Sequence, residues 1–248
     1  MSNTVTRGIV LREVNYKESD KILTLLTAEG KCTVKARGVR KKGSPLAAGC
    51  QLLVYSEFTL SEYRDFVTVS AADSLEQFWG VKSDIELVAL GSYFAEVCET
   101  VAEEGIPQPE LLSLILNSLY ALDKLKKPQE QVKAAFELKV ACLSGYEPLL
   151  DACAVCGAEP EEPGFHITEG VLHCASCRSE VGDGISMPLT RGALAAMRHV
   201  AYGDPKRLFS YQVDDLSQKR MGDACEAFLA AQLERGFRTL DFYKQLKL

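Results

Sequence analysis

The sequence predicts an α+β chain in two parts: a five-stranded, OB-fold-like barrel over residues 1–80, and an all-α helical domain over 81–248 that is interrupted by a four-cysteine module at 149–182. Three observations lead there. Five β-rich runs separated by turn signals fill the first third of the chain. After Gln77-Phe78-Trp79-Gly80 the apolar period changes from two residues to about 3.6. Two CxxC pairs then stand on either side of a segment rich in glycine and proline.

The five runs are Thr6 to Val14, Lys21 to Thr27, Lys31 to Arg37, Gln51 to Leu60 and Phe66 to Ser74. Turn signals lie at Asn15-Tyr16, Glu29-Gly30, Gly43-Ser44-Pro45 and Glu62 to Asp65. Five short strands without helices suit an OB-fold, and SH3-like barrels have similar counts. Alternation along the third run directs Cys32, Val34 and Ala36 to the core and Lys31, Thr33, Lys35 and Arg37 outward. The basic face continues into the glycine-bounded loop Gly38-Val39-Arg40-Lys41-Lys42-Gly43, so six cations, Lys31, Lys35, Arg37, Arg40, Lys41 and Lys42, fall in twelve positions with no acid between them. Such a strip can follow a phosphate backbone, and six contacts would give a log-affinity against log-salt slope of roughly −4 to −5. It can equally be the lysine-protected edge of a sheet. Tyr16, Tyr55, Phe58, Tyr63 and Phe66 offer stacking surfaces or core, and the pattern does not divide them.

Ser83-Asp84-Ile85-Glu86 reads as a capping box that opens a helix, ended by Gly105 and Pro107. Pro109 and Pro128 open two more, the last closed by Gly145 and Pro148, and these three form a bundle. Helices resume at about Thr190 to Tyr202 and Leu216 to Arg235 and are expected to pack back on the first three, so that the cysteine module is an excursion from one helical domain.

In that module Cys153-Ala-Val-Cys156 and Cys174-Ala-Ser-Cys177 are seventeen residues apart. Each CxxC turn directs two sulfurs to one side, and two such knuckles make a closed tetrahedral zinc site with no position left for water, a structural centre. His173, beside Cys174, is an alternative ligand. Disulfides fit less well: Met1 opens a polar segment without an apolar signal core, and nine cysteines leave one over. Cys32, Cys50, Cys98, Cys142 and Cys225 are isolated among apolar neighbours and read as small core residues.

Composition is that of an ordinary globular chain, 47% hydrophobic and 25% charged, and no apolar run is long enough to span a membrane. The net charge of −6 hides a split. Residues 1–80 carry 11 Lys plus Arg against 9 Asp plus Glu, whereas residues 81–248 carry 17 against 25, so a polyanion would dock on the first part. No GxxxxGK[ST], HExxH or GxSxG occurs, nor the HxE with PCxxC of zinc deaminases. No catalytic residue is assigned, and no enzyme is expected.

The run Gly8-Ile9-Val10-Leu11-Arg12, then Tyr16-Lys17-Glu18-Ser19-Asp20-Lys21-Ile22, Leu25-Leu26-Thr27, Gly30-Lys31 and Ala36-Arg37-Gly38-Val39-Arg40-Lys41-Lys42, resembles the amino-terminal signature of the bacterial RecO family. The order of barrel, helical domain and four-cysteine module is similar over the whole chain. The resemblance implies a recombination mediator of the bacterial cytoplasm and nucleoid. Such a protein binds single- and double-stranded DNA, anneals complementary strands, engages single-stranded-DNA-binding protein, and works with RecR to load RecA without nucleotide hydrolysis. It also implies DNA contacts at Lys35, Arg37, Arg40, Lys41 and Lys42, with Lys31 adjacent. Pro45-Leu46 departs from the family pattern, which carries a further basic residue there. A zinc-stapled adaptor that binds proteins, with incidental DNA contact, is the alternative, favoured by the acidic second part.

Overall fold

A computed structural model describes residues 3–63 and 66–247. The chain forms two compact units, one of residues 1–125 with 237–248 and one of residues 126–236.

In the first unit, β1 (Asn3–Tyr16), β2 (Asp20–Thr27), β3 (Gly30–Ala36), β4 (Tyr55–Tyr63) and β5 (Phe66–Glu76) close a barrel in the order β1-β2-β3-β5-β4. Closure is a parallel contact of β3 with β5 at Lys35 and Thr68, so β3 is not an edge strand. Alternate residues fill the interior, Val10, Leu23, Leu25, Val34, Phe58 and Val69 among them. Two sequence expectations shift. β1 runs on through Tyr16, and its turn is made at Lys17, whose φ is 52°. The fourth strand, expected from Gln51, begins at Tyr55, because Leu53 takes a φ of 61° and residues 53 and 54 instead bond to Val10, Leu53 N donating to Val10 O at 2.9 Å and Val10 N to Val54 O at 3.1 Å. The turn placed at Glu62 to Asp65 lies partly outside the described residues, as do Arg64 and Asp65.

Four helices complete this unit: α1 (Trp79–Lys82), α2 (Ile85–Val101), α3 (Pro109–Asp123) and α7 (Arg238–Leu246), with α2 and α3 lying on β1 and β2. The capping box is corrected. Asp84, not Ser83, caps α2, its Oδ1 accepting from Glu86 N at 2.9 Å and Leu87 N at 3.2 Å, while Ser83 ends α1 and donates to Gly80 O. The expectations contain no α7. It packs on α2 through Phe237, edge-on to Tyr93 at 5.5 Å, and through Glu96, which accepts from Thr239 N at 3.1 Å.

The second unit joins α4 (Gln129–Leu143), α5 (Arg191–Tyr202) and α6 (Asp215–Gln232) to a small sheet of β6 (Leu149–Cys153), β7 (Gly164–His166), β8 (Val171–His173) and β9 (Ser186–Pro188), ordered β6-β8-β7-β9. Between α4 and α6, Lys133 is buried against Glu137 at 2.9 Å and Glu226 at 2.8 Å. By contacts the division of the chain falls after residue 125, whereas the change of period falls near residue 80: α2 and α3 lie on the barrel within the first unit, and α4 belongs to the second. Among the described residues no helix is long and apolar enough to cross a membrane.

Candidate nucleic-acid interface and metal centre

β3 alternates as its sequence requires, with Val34 and Ala36 buried and Cys32 packed against the core. The outward cations separate into two kinds. Lys31 Nζ donates to Glu99 O at 2.8 Å, and its backbone N–H to Glu103 O at 3.0 Å. Lys35 Nζ lies 3.0 Å from Asp20 Oδ2 and 4.7 Å from the centre of the Tyr16 ring, both acidic and basic side chains being less than one-fifth exposed. Lys31 thus ties β3 to α2 and the segment after it, and Lys35 ties β3 to the start of β2. Arg37, Arg40, Lys41 and Lys42 are exposed, and among the described residues none forms an ion pair.

The loop that carries them has a defined shape. Lys41 N donates to Gly38 O at 3.0 Å and Ser44 N to Lys41 O at 3.1 Å, successive turns that use the positive φ of Gly38 and Gly43, 66° and 77°. Val39 and Leu46 insert into the core and leave the cations outside. Two bonds tie the loop to the β1–β2 turn: Gly38 N donates to Asp20 Oδ1 at 2.8 Å and Arg40 N to Ser19 O at 2.9 Å. The Gly38 N–H, followed by Lys35, holds the Asp20 carboxyl below the usual carboxylate range. Asp20 and Ser19 are positioning residues that charge counting could not find. Under the loop a cavity of about 640 Å³ is lined by Glu13, Lys21, Arg40, Gln51 and Lys82, among others, and burial lowers the Lys82 pKa. Of the barrel aromatics, Phe58 is core and Tyr55 half-buried, Tyr16 and Phe66 are exposed, and the Tyr63 side chain lies outside the described residues.

In the second unit, β6 ends at Cys153, β8 delivers Cys174, and a 3-10 turn, Ala175–Glu180, carries Cys177. The first knuckle closes through Gly157 N to Cys153 O at 2.9 Å, with Gly157 at φ 72°. The second closes through Cys177 N to Cys174 O at 3.1 Å. All four sulfurs lie within 4.8 Å of one another, and Cys174 Sγ is 3.4 Å from Cys156, 3.5 Å from Cys153 and 3.4 Å from Cys177. A tetrahedron with bonds of ~2.3 Å has edges of about 3.8 Å, so the set fits one ion. The separations are far from the ~2.05 Å of a disulfide. Burial works against ionisation of Cys153, but the N–H groups of Cys156, Cys174 and Val155 bring its thiol down to about 6. The Cys174 thiol and burial push Cys177 up to about 12. Four sulfurs this close ionise together only against a cation, which is the chemistry of a metal ligand set.

His173 is not among these ligands: its Nδ1 lies 3.0 Å from Cys174 O and its Nε2 3.0 Å from Ser186 Oγ, and Gly164 lies flat against the ring. Arg198 of α5 anchors the knuckle, donating to the carbonyls of Leu150 and Asp151 and to both Glu159 oxygens, at 2.7 to 3.0 Å. The sequence held no signal for that clamp. The five other cysteines lie apart from the cluster, and burial raises their thiols, Cys32 and Cys142 to about 11 and Cys50 to about 12.

Comparison with known proteins agrees with this architecture. Residues 1–78 match the family model for the recombination protein O N terminal region, and residues 82–241 match that for the recombination protein O C terminal region. A DNA repair protein RecO of Acetivibrio thermocellus is 32% identical over 99% of this chain and 98% of its own length. Another from Desulforudis audaxviator is 31% identical over 99% and 98%, and one from Bacillus pumilus is 33% identical over 82% and 78%. The chain belongs to the RecO family, and its role lies in DNA repair and recombination.

Proposed function

We propose that this chain is a recombination mediator that binds single- and double-stranded DNA through the loop after β3 and anneals complementary strands without chemistry of its own. The observation that carries the reading is the set of four exposed cations, Arg37, Arg40, Lys41 and Lys42, which form no ion pair among the described residues, on a loop pinned at Gly38 and Arg40. A pinned loop loses little freedom when phosphates arrive, and each neutralised phosphate releases counterions. Two strands neutralised on one protein repel each other less, so their bases can find register. Lys31 and Lys35 contribute by fixing β3 and adding to the local positive field rather than by direct contact. Cys153, Cys156, Cys174 and Cys177 hold a structural Zn²⁺ that closes the module. Family membership supports the remaining partners: RecR, single-stranded-DNA-binding protein, and the loading of RecA, in the bacterial cytoplasm and nucleoid.

The test is fluorescence anisotropy of labelled single-stranded and duplex oligonucleotides with the wild type and an Arg37→Ala, Arg40→Ala, Lys41→Ala, Lys42→Ala variant. Loss of affinity for both DNA forms is expected. Undiminished binding by the variant would refute the loop as the DNA site.

A further inference from the structure

We propose that the open end of the barrel, under the basic loop, is a binding site for a free nucleoside monophosphate. The inference does not depend on the DNA reading. It rests on the cavity and chiefly on Glu13, Lys21 and Lys82, which that reading leaves unused.

Strand register builds the site. Leu23 and Leu25 point into the barrel; Glu13 pairs with Leu23 and Lys21 lies two residues before it, so both charged side chains continue the inward row beyond the last apolar layer. Asn15 pairs with Lys21 and joins them. The interior of the barrel thus ends in charge rather than in an apolar plug. Beyond that end is the cavity of about 640 Å³, closed by Val39 and Arg40 of the loop, by residues 51–53, and by Lys82 of α1 and Val88 of α2. Mouths of β-barrels are a common seat for small molecules, and this volume lies in the range that holds one.

Charge selects an anion. Glu13 and Lys21 offset each other, Oε2 and Nζ being 2.9 Å apart. That leaves Arg40 and Lys82 on one space, neither in an ion pair among the described residues. Lys82 Nζ donates to the neutral Gln51 Oε1 at 3.3 Å, and burial lowers its pKa against a smaller upward pull from Glu13. A phosphate monoester carries about −1.5 to −2 at pH 7, which matches the two cations. An anion between them also offsets their mutual repulsion.

The rest of the lining selects what carries the phosphate. Glu13 Oε2 is buried and, beyond the Lys21 contact, has no hydrogen-bond partner among the described residues, so it is an acceptor for a sugar hydroxyl. Val39, Leu52, Leu53 and Val88 supply an apolar wall for a base. Two of the walls are set by non-glycine residues at positive φ, Leu53 at 61° and Phe78, which precedes α1, at 49°. Backbone in this region is costly, and such strain gathers at ligand sites. Phosphate, hydroxylated sugar and apolar ring in one molecule define a nucleotide.

Calorimetry titrates the full chain with adenosine monophosphate (AMP), adenosine and inorganic phosphate. Trp79, the single tryptophan, reports in parallel, since Lys82 Nζ lies 5.7 Å from its ring centre. AMP is expected to bind once per chain and to change Trp79 emission, with adenosine and inorganic phosphate each at least about tenfold weaker. Lys82→Ala is expected to weaken AMP binding about tenfold or more, as loss of a charged hydrogen bond does, and Lys82→Arg to keep it. Gln51→Glu, nearly isosteric at an exposed position, is expected to abolish AMP binding, because its carboxylate takes Lys82 and repels the phosphate, with circular dichroism as the check on folding. No AMP binding by wild type, or undiminished binding by Lys82→Ala and Gln51→Glu, would overturn the proposal. So would equal affinity for inorganic phosphate, or Lys82-dependent binding of a terminally phosphorylated single strand without binding of free AMP. Lys82 and Gln51 lie outside the loop, so failure here leaves the DNA reading to its own test.

Discussion

Neutralising the loop tests the electrostatics quantitatively. Counting the basic strip in the sequence gives six phosphate contacts, but Lys31 and Lys35 are engaged by Glu99 O and Asp20, which leaves four. Four contacts contribute roughly −3 to the slope of log affinity against log salt on a single strand and roughly −3.5 on duplex. Between 50 and 200 mM salt that part alone weakens single-strand binding about 50-fold. Alanine at Arg37, Arg40, Lys41 and Lys42 should remove this contribution, flattening the slope by about three on a single strand. A Lys31→Ala, Lys35→Ala variant should keep the slope close to wild type while lowering thermal stability, since it removes internal bonds. Anisotropy over a salt series reads both, with circular dichroism for folding. If the two-lysine variant flattens the slope and the loop variant does not, the division of the cations into holding and binding groups is wrong.

Other outcomes follow from the same geometry. Cys174→Ser should reduce bound zinc from one ion per chain to well below that, measured by release to a colorimetric chelator, and zinc should be lost on acidification as the thiolates protonate; full zinc retention would remove the cluster as the metal site. Lys133→Met leaves Glu137, fully buried, without its cation and should cost about 3–5 kcal/mol in denaturant unfolding, where a cost under ~1 kcal/mol would show that the pair is dispensable. Asp20 has a folded pKa below its ordinary 3.8, so the stability it contributes is present above that value and is lost as pH falls through the lowered one. Exchange of the Gly38 amide should therefore accelerate below about pH 4 relative to neighbouring amides, after correction for intrinsic exchange, and Asp20→Asn should abolish the difference.

The parts of the fold legible in the sequence are those with a strong local period or a fixed spacing. Alternation at Cys32, Val34 and Ala36 located β3, the prolines at 109 and 128 located the starts of α3 and α4, and two CxxC pairs located the four-cysteine cluster. Long-range contacts decide what was not legible. Leu240 and Tyr243 make α7 a helix only because Phe237 and Thr239 reach back to α2. Residues 51–54 read as strand by composition, yet their bonds to Val10 bend them into a turn. Ser83 and Asp84 both suit a helix cap, and only the placement of α1 gives the role to Asp84. The basic strip was visible as charge. Which of its cations are held by other groups was not, because the partners, Asp20 and Glu99, lie on other elements.

The central claim, that the barrel loop lets the protein bring complementary strands together, is tested most directly by annealing itself. Two complementary single strands, one carrying a fluorophore and the other a quencher, are mixed with wild type or with the four-residue loop variant at low and high salt. The expected result is rapid annealing with wild type that slows as salt rises, and a rate with the variant close to that of the strands alone. Equal annealing by the two proteins would contradict the claim and move the activity away from Arg37, Arg40, Lys41 and Lys42.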